Sequence, residues 1–208
     1  MFFDAAALSS RDAYRLMIGS IVPRPIAWAS TVSAGGHGNL APFSFFTAVT
    51  SAPPTLCFSA SHRGGGPKDT LQNVAETGEF VVNVVDEDVA EAMNLTSEEA
   101  PPEVDELRLA KLTPAPSRLV RPPGVAEAPI RMECRLDRLV DVGRAPDGAT
   151  LVLGEIVAWH VRDDLLDAER MRIRIDRLLA VGRLAGDWYT RTRDQFEMIR
   201  PNPNYRGR

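Results

Sequence analysis

The sequence is poor in the residues that most often carry chemistry. Among its 208 residues it has two cysteines, Cys57 and Cys134, and three histidines, His37, His62 and His160. The cysteines lie apart in apolar, strand-like runs, so they form no Cys-x-x-Cys pair and read as small core side chains in a reducing compartment. No His-x-x-x-His pattern is present either, and a zinc site is not expected. His37 falls in a glycine-rich turn and reads as solvated; His160 ends an apolar strand and reads as a hydrogen-bonded structural residue. No Gly-x-Gly-x-x-Gly follows a strand and no Gly-x-Ser-x-Gly elbow occurs. Gly64-Gly65-Gly66-Pro67-Lys68-Asp69 has neither the spacing of a P-loop nor a hydroxyl residue after its lysine.

Charge and hydropathy exclude further classes. Lys and Arg total 24 against 28 Asp and Glu, a net charge of −4, so nothing marks a nucleic-acid partner. No run approaches the roughly 20 apolar residues that a membrane span needs. Met1 to Ser10 lacks a basic segment followed by a long apolar one, which predicts a cytoplasmic protein without a leader. Hydrophobic residues at 44% and charged residues at 25% are ordinary globular values. The length suits one domain over 1–208, extended at both ends.

What is present reads mainly as strands. A helix is expected through Ala5–Leu8 and a second over Ser10–Met17, ended by Gly19 and Pro23. Ile26–Ser33 reads as a strand, Ala34–Gly38 as a hairpin connection and Asn39–Phe46 as the returning strand. Pro42 places that return on an edge or at a bulge. Its alternation puts Phe43 and Phe45 on one face, Ser44 and Phe46 on the other. Pro53-Pro54 marks a break before the strand Thr55–Ala60. Asp69–Thr77 reads as a helix, with Asp69 and Gln72 spaced as a capping box and Gly78 as its stop. Glu79–Val85 reads as a buried strand and Asp86–Leu95 as a helix. Residues 97–127, with Pro101-Pro102, Pro114, Pro116 and Pro122-Pro123, read as a proline-rich insertion wrapping the fold. Ala128–Val142 and Thr150–Val161 form a long hairpin, and Ile173–Val181 is the last regular piece. Six or seven strands with few helices predict a mainly β fold with peripheral helices, a barrel closed on itself.

The candidate chemistry lies between Asn39 and Thr70. The start of the Asp69–Thr77 helix offers free N–H groups and a partial positive charge, which suit a phosphate. Ser59, Ser61, Lys68 and Thr70 add donors, Arg63 adds charge, and the glycine loop permits close backbone approach. Each part has a plain reading as well: a capped helix after a glycine loop, and core phenylalanines at Phe43, Phe45 and Phe46.

The combination resembles the flavin reductase-like, FMN-binding split-barrel family. The resemblance rests on Asn39-Leu40-Ala41-Pro42-Phe43-Ser44-Phe45-Phe46, Pro53-Pro54, Lys68-Asp69-Thr70 and Thr77-Gly78-Glu79-Phe80-Val81-Val82-Asn83. Arg24-Pro25-Ile26-Ala27-Trp28 and Gly182-Arg183-Leu184-Ala185-Gly186-Asp187-Trp188-Tyr189 match one branch of it. The resemblance implies a split β-barrel that dimerises, with FMN at the subunit interface. Asn39, Ala41, Pro42, Phe43, Ser44 and Phe46 would run past the ring, with Ser30 and Thr31 on the neighbouring strand. Ser59, Ser61, Lys68, Asp69 and Thr70 would gather round the phosphate, Asp69 as the helix cap that orients its neighbours. Tyr189 or Trp188 would cover the site. NADH or NADPH would be the electron donor and an oxygenase or other acceptor the partner. In one respect the sequence departs from the family: where many members carry Gly-Asp-His, it has Asp147-Gly148-Ala149, and the nicotinamide half of the activity loses that histidine. Two other readings stay open: an FMN-binding electron carrier without a nicotinamide site, and a haem-binding split barrel with His62 or His160 as axial ligand.

Overall fold

The computed structural model describes residues 1–62, 67–98, 101, 104–144 and 148–199. Arg63 and Gly64 to Gly66 of the glycine loop, Asp147 of the long hairpin's turn, and the tail's Arg200, Pro201, Pro203, Arg206 and Arg208 lie outside the described residues. In chain order come a 3-10 turn (Ala5–Ala7), α1 (Ser10–Ser20), β1 (Ala27–Val32), β2 (Gly38–Phe43), β3 (Phe46–Ser51), β4 (Pro54–Ser61), α2 (Asp69–Thr77), β5 (Glu79–Asn83), α3 (Ala90–Leu95) and α4 (Glu106–Leu109). Then follow β6 (Pro114–Ala115), β7 (Gly124–Val125), β8 (Ile130–Val142), β9 (Ala149–Val161), a second 3-10 turn (Asp163–Leu165), β10 (Leu166–Asp167), β11 (Arg172–Ile173), α5 (Ile175–Leu178), β12 (Val181–Arg183) and β13 (Tyr189–Arg191).

Seven strands form one antiparallel sheet in the order β2-β1-β5-β8-β9-β4-β3. The expected mainly β architecture with peripheral helices is therefore present. Strands β2 and β3 are neighbours in sequence yet occupy opposite edges. Three peptide steps separate Phe43 from Phe46, a span of at most about 11 Å. The sheet must curl until its two edges approach at the Ser44-Phe45 corner. The Ser59 N–H donates to the Phe45 carbonyl at 2.8 Å, tying the corner to β4. Among the described residues β2 and β3 share no ladder, so the ring of strands is not hydrogen-bonded shut.

The corner corrects the expected single strand over Asn39–Phe46. Alternation holds only to Phe43, where β2 ends. After the bend, Phe43 and Phe46 both meet one apolar cluster with Phe58, Phe80 and Leu56, whereas Phe45 turns towards Arg24. Pro42 sits, as expected, in an edge strand. On the outer side of that strand a Glu106 carboxylate oxygen of α4 accepts from the Leu40 N–H at 2.9 Å, which covers the exposed edge.

Strand β1 is buried on both faces. Ala27 and Ala29 face the cluster of Phe43, Phe58 and Phe80. Trp28 points the other way, against Leu40, Met93 and Val181. Its indole Nε1–H donates to Thr96 Oγ1 at 2.8 Å, satisfying the one polar atom of a fully buried ring. Across the sheet Phe80 packs so closely on β9 that a Cβ at Gly154 would collide with its ring, which is why glycine occupies that position.

Three further expectations change. The Asp69–Gln72 capping box does not form: Lys68, following Pro67, has the extended backbone of the cap residue, so Asp69 is already inside the helix. Asp86 pairs with Ala180 in an isolated bridge instead of starting a helix, and α3 begins only at Ala90. Ile173–Val181 breaks into β11, α5 and β12, with Leu179 in the left-handed region at φ 46°. Conversely, α1 runs through Gly19 to Ser20, and Ser9 caps it by accepting from the Asp12 N–H at 3.1 Å.

The proline-rich insertion is fastened by backbone bonds to polar side chains of the sheet. Ser30 Oγ donates to the Pro123 carbonyl at 2.6 Å and the Val125 N–H donates to Asn83 Oδ1 at 2.8 Å. The Arg118 and Leu119 N–H groups donate to the two carboxylate oxygens of Glu133 at 2.8 and 2.6 Å. His160 Nε2 lies 2.5 Å from Glu133, so the histidine has the hydrogen-bonded structural place expected of it. Burial pushes the Glu133 carboxyl up, but these hydrogen bonds outweigh it and hold the group below its ordinary value.

Candidate functional site: a cationic cleft at the sheet corner

A cleft of about 250 Å³ opens beside the Ser44-Phe45 corner. The corner contributes Pro42 through Phe45. Ser59 and Ser61 project from β4, on the face opposite the fully buried Phe58 and Ala60. Lys68 enters from the start of α2, and Tyr14 and Ile18 from α1. The hairpin of β12 and β13 supplies Arg183, Gly186 and Tyr189. The lining thus carries three cations, four aromatic rings and no carboxylate among the described residues. Such a wall suits a flat ligand with an anionic group.

The cations are differently placed. Lys68 Nζ sits 5.3 Å from the Phe43 ring centroid. Arg24 lies 5.9 Å from that of Phe45 and is 5% exposed. Its Nη1 donates to the Ile18 and Ile21 carbonyls at 2.7 and 3.0 Å, its Nη2 to the Leu184 carbonyl at 2.8 Å, and its Nε to Ser44 Oγ at 3.4 Å. It therefore ties the end of α1, the corner and the segment after β12 into one wall. Burial lowers its pKa, and the charge of Arg183 acts in the same direction. Arg183 stacks on the Tyr189 ring at 4.4 Å. The Tyr189 hydroxyl donates to Asn94 Oδ1 at 3.1 Å, fixing the ring against α3.

Of the residues expected at a ligand site, Pro42, Phe43, Ser44, Ser59, Ser61, Lys68 and Tyr189 meet at this cleft. Ser30, Thr31, Asn39 and Thr70 lie outside its lining and are buried. Asn39 Nδ2 donates to Thr31 Oγ1 and to Thr70 Oγ1 at 3.1 and 2.8 Å, and Asn73 Nδ2 donates to Thr31 Oγ1 at 3.1 Å. This buried net clamps the first turn of α2 onto β1 and β2. Ala41 and Phe46 pack on the core, and Asp69 sits in the first turn of α2. Trp188 is 75% exposed.

Sequence reasoning missed Tyr14, Arg24, Phe45 and Arg183 as lining residues. Arg24 and Arg183 lie in stretches already singled out, but no spacing rule showed that they face one another. The backbone supplies that fact, through the antiparallel bridge between the two residues. Tyr14 carried no signal.

The two histidines weighed as metal ligands are outside the cleft lining. His62 Nε2 lies 2.9 Å from Thr150 Oγ1, whose hydroxyl donates to Asp141 at 2.7 Å. That commits the threonine proton to the carboxylate, so His62 Nε2 is the donor. Among the described residues no group of three or more His, Cys, Asp or Glu side chains is arranged to hold a metal ion. No helix among them is long and apolar enough to cross a membrane.

A family profile described as "Flavin reductase like domain" matches residues 18–178. YwrF of Bacillus subtilis, an uncharacterised protein, is 41% identical over 202 residues, covering 96% of this chain and 98% of its own. Among solved structures, nitrilotriacetate monooxygenase component B from Bacillus cereus is 39% identical, with a TM-score of 0.91 over 95% of this chain and 98% of its own. The 2-nitrobenzoate 2-nitroreductase NbaA of Pseudomonas fluorescens is 34% identical, with a TM-score of 0.88 over 97% and 96%.

Proposed function

Because the chain belongs to the flavin reductase like family, we propose that it is an FMN-binding oxidoreductase that draws electrons from NADH or NADPH. The sheet is, on this reading, the split barrel of that family. The observation that carries the proposal is the lining of the cleft: three cations and four aromatic rings, with no carboxylate among the described residues.

The residues present fit the group. Lys68, Ser59, Ser61 and the N–H groups of the first turn of α2 would hold the phosphate, with the buried net of Thr31, Asn39, Thr70 and Asn73 setting where that turn lies, while Ser30 holds the insertion instead. Asp69 would act on the phosphate only through the backbone of that turn. Ala41 and Phe46 would support the corner from the core side, and Pro42 to Phe45 would offer backbone groups to the polar edge of a ring. Tyr189 would form the opposite wall and limit water access. The chemistry FMN supplies when bound is two-electron oxidation and reduction, so the chain itself has to bind, orient and shield. A second copy of the chain would complete the site. The electron acceptor would be a partner oxygenase, as the component name of the Bacillus cereus relative suggests, or a small aromatic oxidant, as the name of the Pseudomonas relative suggests.

The test is spectroscopic and kinetic. Purified protein titrated with FMN is expected to give a bound-flavin absorption spectrum and to oxidise NADH or NADPH above the rate of free FMN. Tight FMN binding without nicotinamide oxidation would replace this reading with an electron carrier, and a Soret band would replace the cofactor.

A further inference from the structure

We propose that Arg183, stacked on Tyr189, forms a second anion subsite that receives the charged group of a planar co-substrate. This deepens the flavin reading above and rests on it.

Positive charge falls at two places in the cleft: Lys68 Nζ lies 5.3 Å from the Phe43 ring centroid and Arg24 5.9 Å from that of Phe45. Arg183 lies with Arg24, since the two residues pair across an antiparallel bridge. A single phosphate held by Lys68, Ser59 and Ser61 answers only the first place.

The two arginines are not equivalent. Arg24 gives its guanidinium to three main-chain carbonyls and is buried, so it is part of the wall. Arg183 forms no ion pair with a described residue, and its side chain is only partly buried. A guanidinium over a ring keeps its charge while its planar fork of N–H groups can still pair with an anion. Arg183 lies 4.4 Å from the Tyr189 ring centroid and lines the cleft. An anion bound there would also relieve the repulsion between the two arginines.

Tyr189 makes the subsite suitable for a ring. Its hydroxyl is held by Asn94. The strand it begins is anchored farther along, where Arg191 and Arg193 clamp Glu87 at 2.9 and 2.7 Å. The stacking surface is therefore fixed before a ligand arrives, which lowers the ordering cost of binding. The recognised chemistry is a flat ring carrying an anionic group. Two sources supply it: the diphosphate of a nicotinamide dinucleotide, or the carboxylate of an aromatic acid.

The experiment uses FMN-loaded protein and calorimetric titration with four unreactive probes. NAD+ is compared with N-benzylnicotinamide, which has the ring without the phosphates, and benzoate with benzyl alcohol. Arg183→Ala is expected to weaken at least one anionic probe by about tenfold or more, the loss of a charge-assisted bidentate contact, relative to its neutral counterpart. Arg183→Lys, which keeps the charge but not the fork, is expected to fall between. Weakening confined to NAD+ identifies the dinucleotide, and weakening confined to benzoate the aromatic acid. Equal weakening of charged and neutral probes, no change, or wild-type protein that binds neither anion would overturn the proposal. FMN affinity is measured separately for wild type and both variants. If the wild type fails to bind FMN, the flavin reading falls and this inference with it; if it binds FMN but shows no charge selectivity at Arg183, only this inference falls.

Discussion

At the residue scale, the cleft places a cation committed to main-chain carbonyls, Arg24, in one lining with Lys68 and Arg183. Lys68 belongs to the proposed phosphate end. Lys68→Ala should weaken FMN by about tenfold or more, the worth of one charge-assisted hydrogen bond, and riboflavin by much less because riboflavin has no phosphate. Fluorescence titration with the two flavins checks this, and equal losses would place the phosphate elsewhere. Arg24 has a structural role as well as a place in the wall. Arg24→Met would strand the Ile18, Ile21 and Leu184 carbonyls and is expected to lower stability by about 2–4 kcal/mol. Chemical denaturation measures that directly, and an unchanged midpoint would show that water replaces the guanidinium freely.

At the element scale, the proline-rich insertion behaves as a strap held by the sheet's buried polar side chains. Glu133 is its main anchor, accepting from two consecutive backbone N–H groups and facing His160. Its folded-state pKa lies below the ordinary 4.5. The unfolded chain therefore binds this proton more readily, and the anchor's contribution is full above about pH 4.5 and lost as pH falls through the lowered value. Protection of the Arg118 and Leu119 amides, taken relative to the intrinsic exchange rate at the same pH, should fall on acidification through that range. Glu133→Gln should remove this acid dependence while giving faster exchange already at neutral pH. Glu106 and Asp86, both pushed up by burial, titrate with the opposite sign, so the comparison with Glu133→Gln is what isolates the strap. Protection at these amides that ignores pH in both proteins would argue against an electrostatic anchor.

At the scale of the whole molecule, the dimer proposed with the flavin site predicts a solution mass near twice the chain's 22.8 kDa. Light scattering after gel filtration tests it, and a monomer that binds FMN fully would remove the second copy from the site. Several large apolar side chains are exposed in the single chain, among them Phe2 at 87%, Trp188 at 75% and Phe196 at 84%. Much of the fold was legible beforehand because its signals are local. Pro42 called for an edge or a bulge and lies in an edge strand, Gly78 takes the left-handed conformation that stops α2, and the long hairpin of β8 and β9 follows from two apolar runs about a turn. Likewise Ser59, Ser61 and Lys68 could be nominated from residue type and from their nearness to a helix start. Other features depend on contacts far apart in the chain, and no local pattern encodes them. The bend at Ser44-Phe45 overrides the strand's alternation because the corner must join the sheet's two edges. Thr70 and Asn39 are consumed by each other because α2 packs on β1 and β2. The sequence by itself determined the β-rich class and the family and nominated the residues of the proposed phosphate end, all of which rest on short-range backbone preference and residue chemistry. Only the tertiary structure decided that Arg24 is wall and Arg183 is not, because that depends on which carbonyls and rings a curled sheet brings within hydrogen-bonding reach.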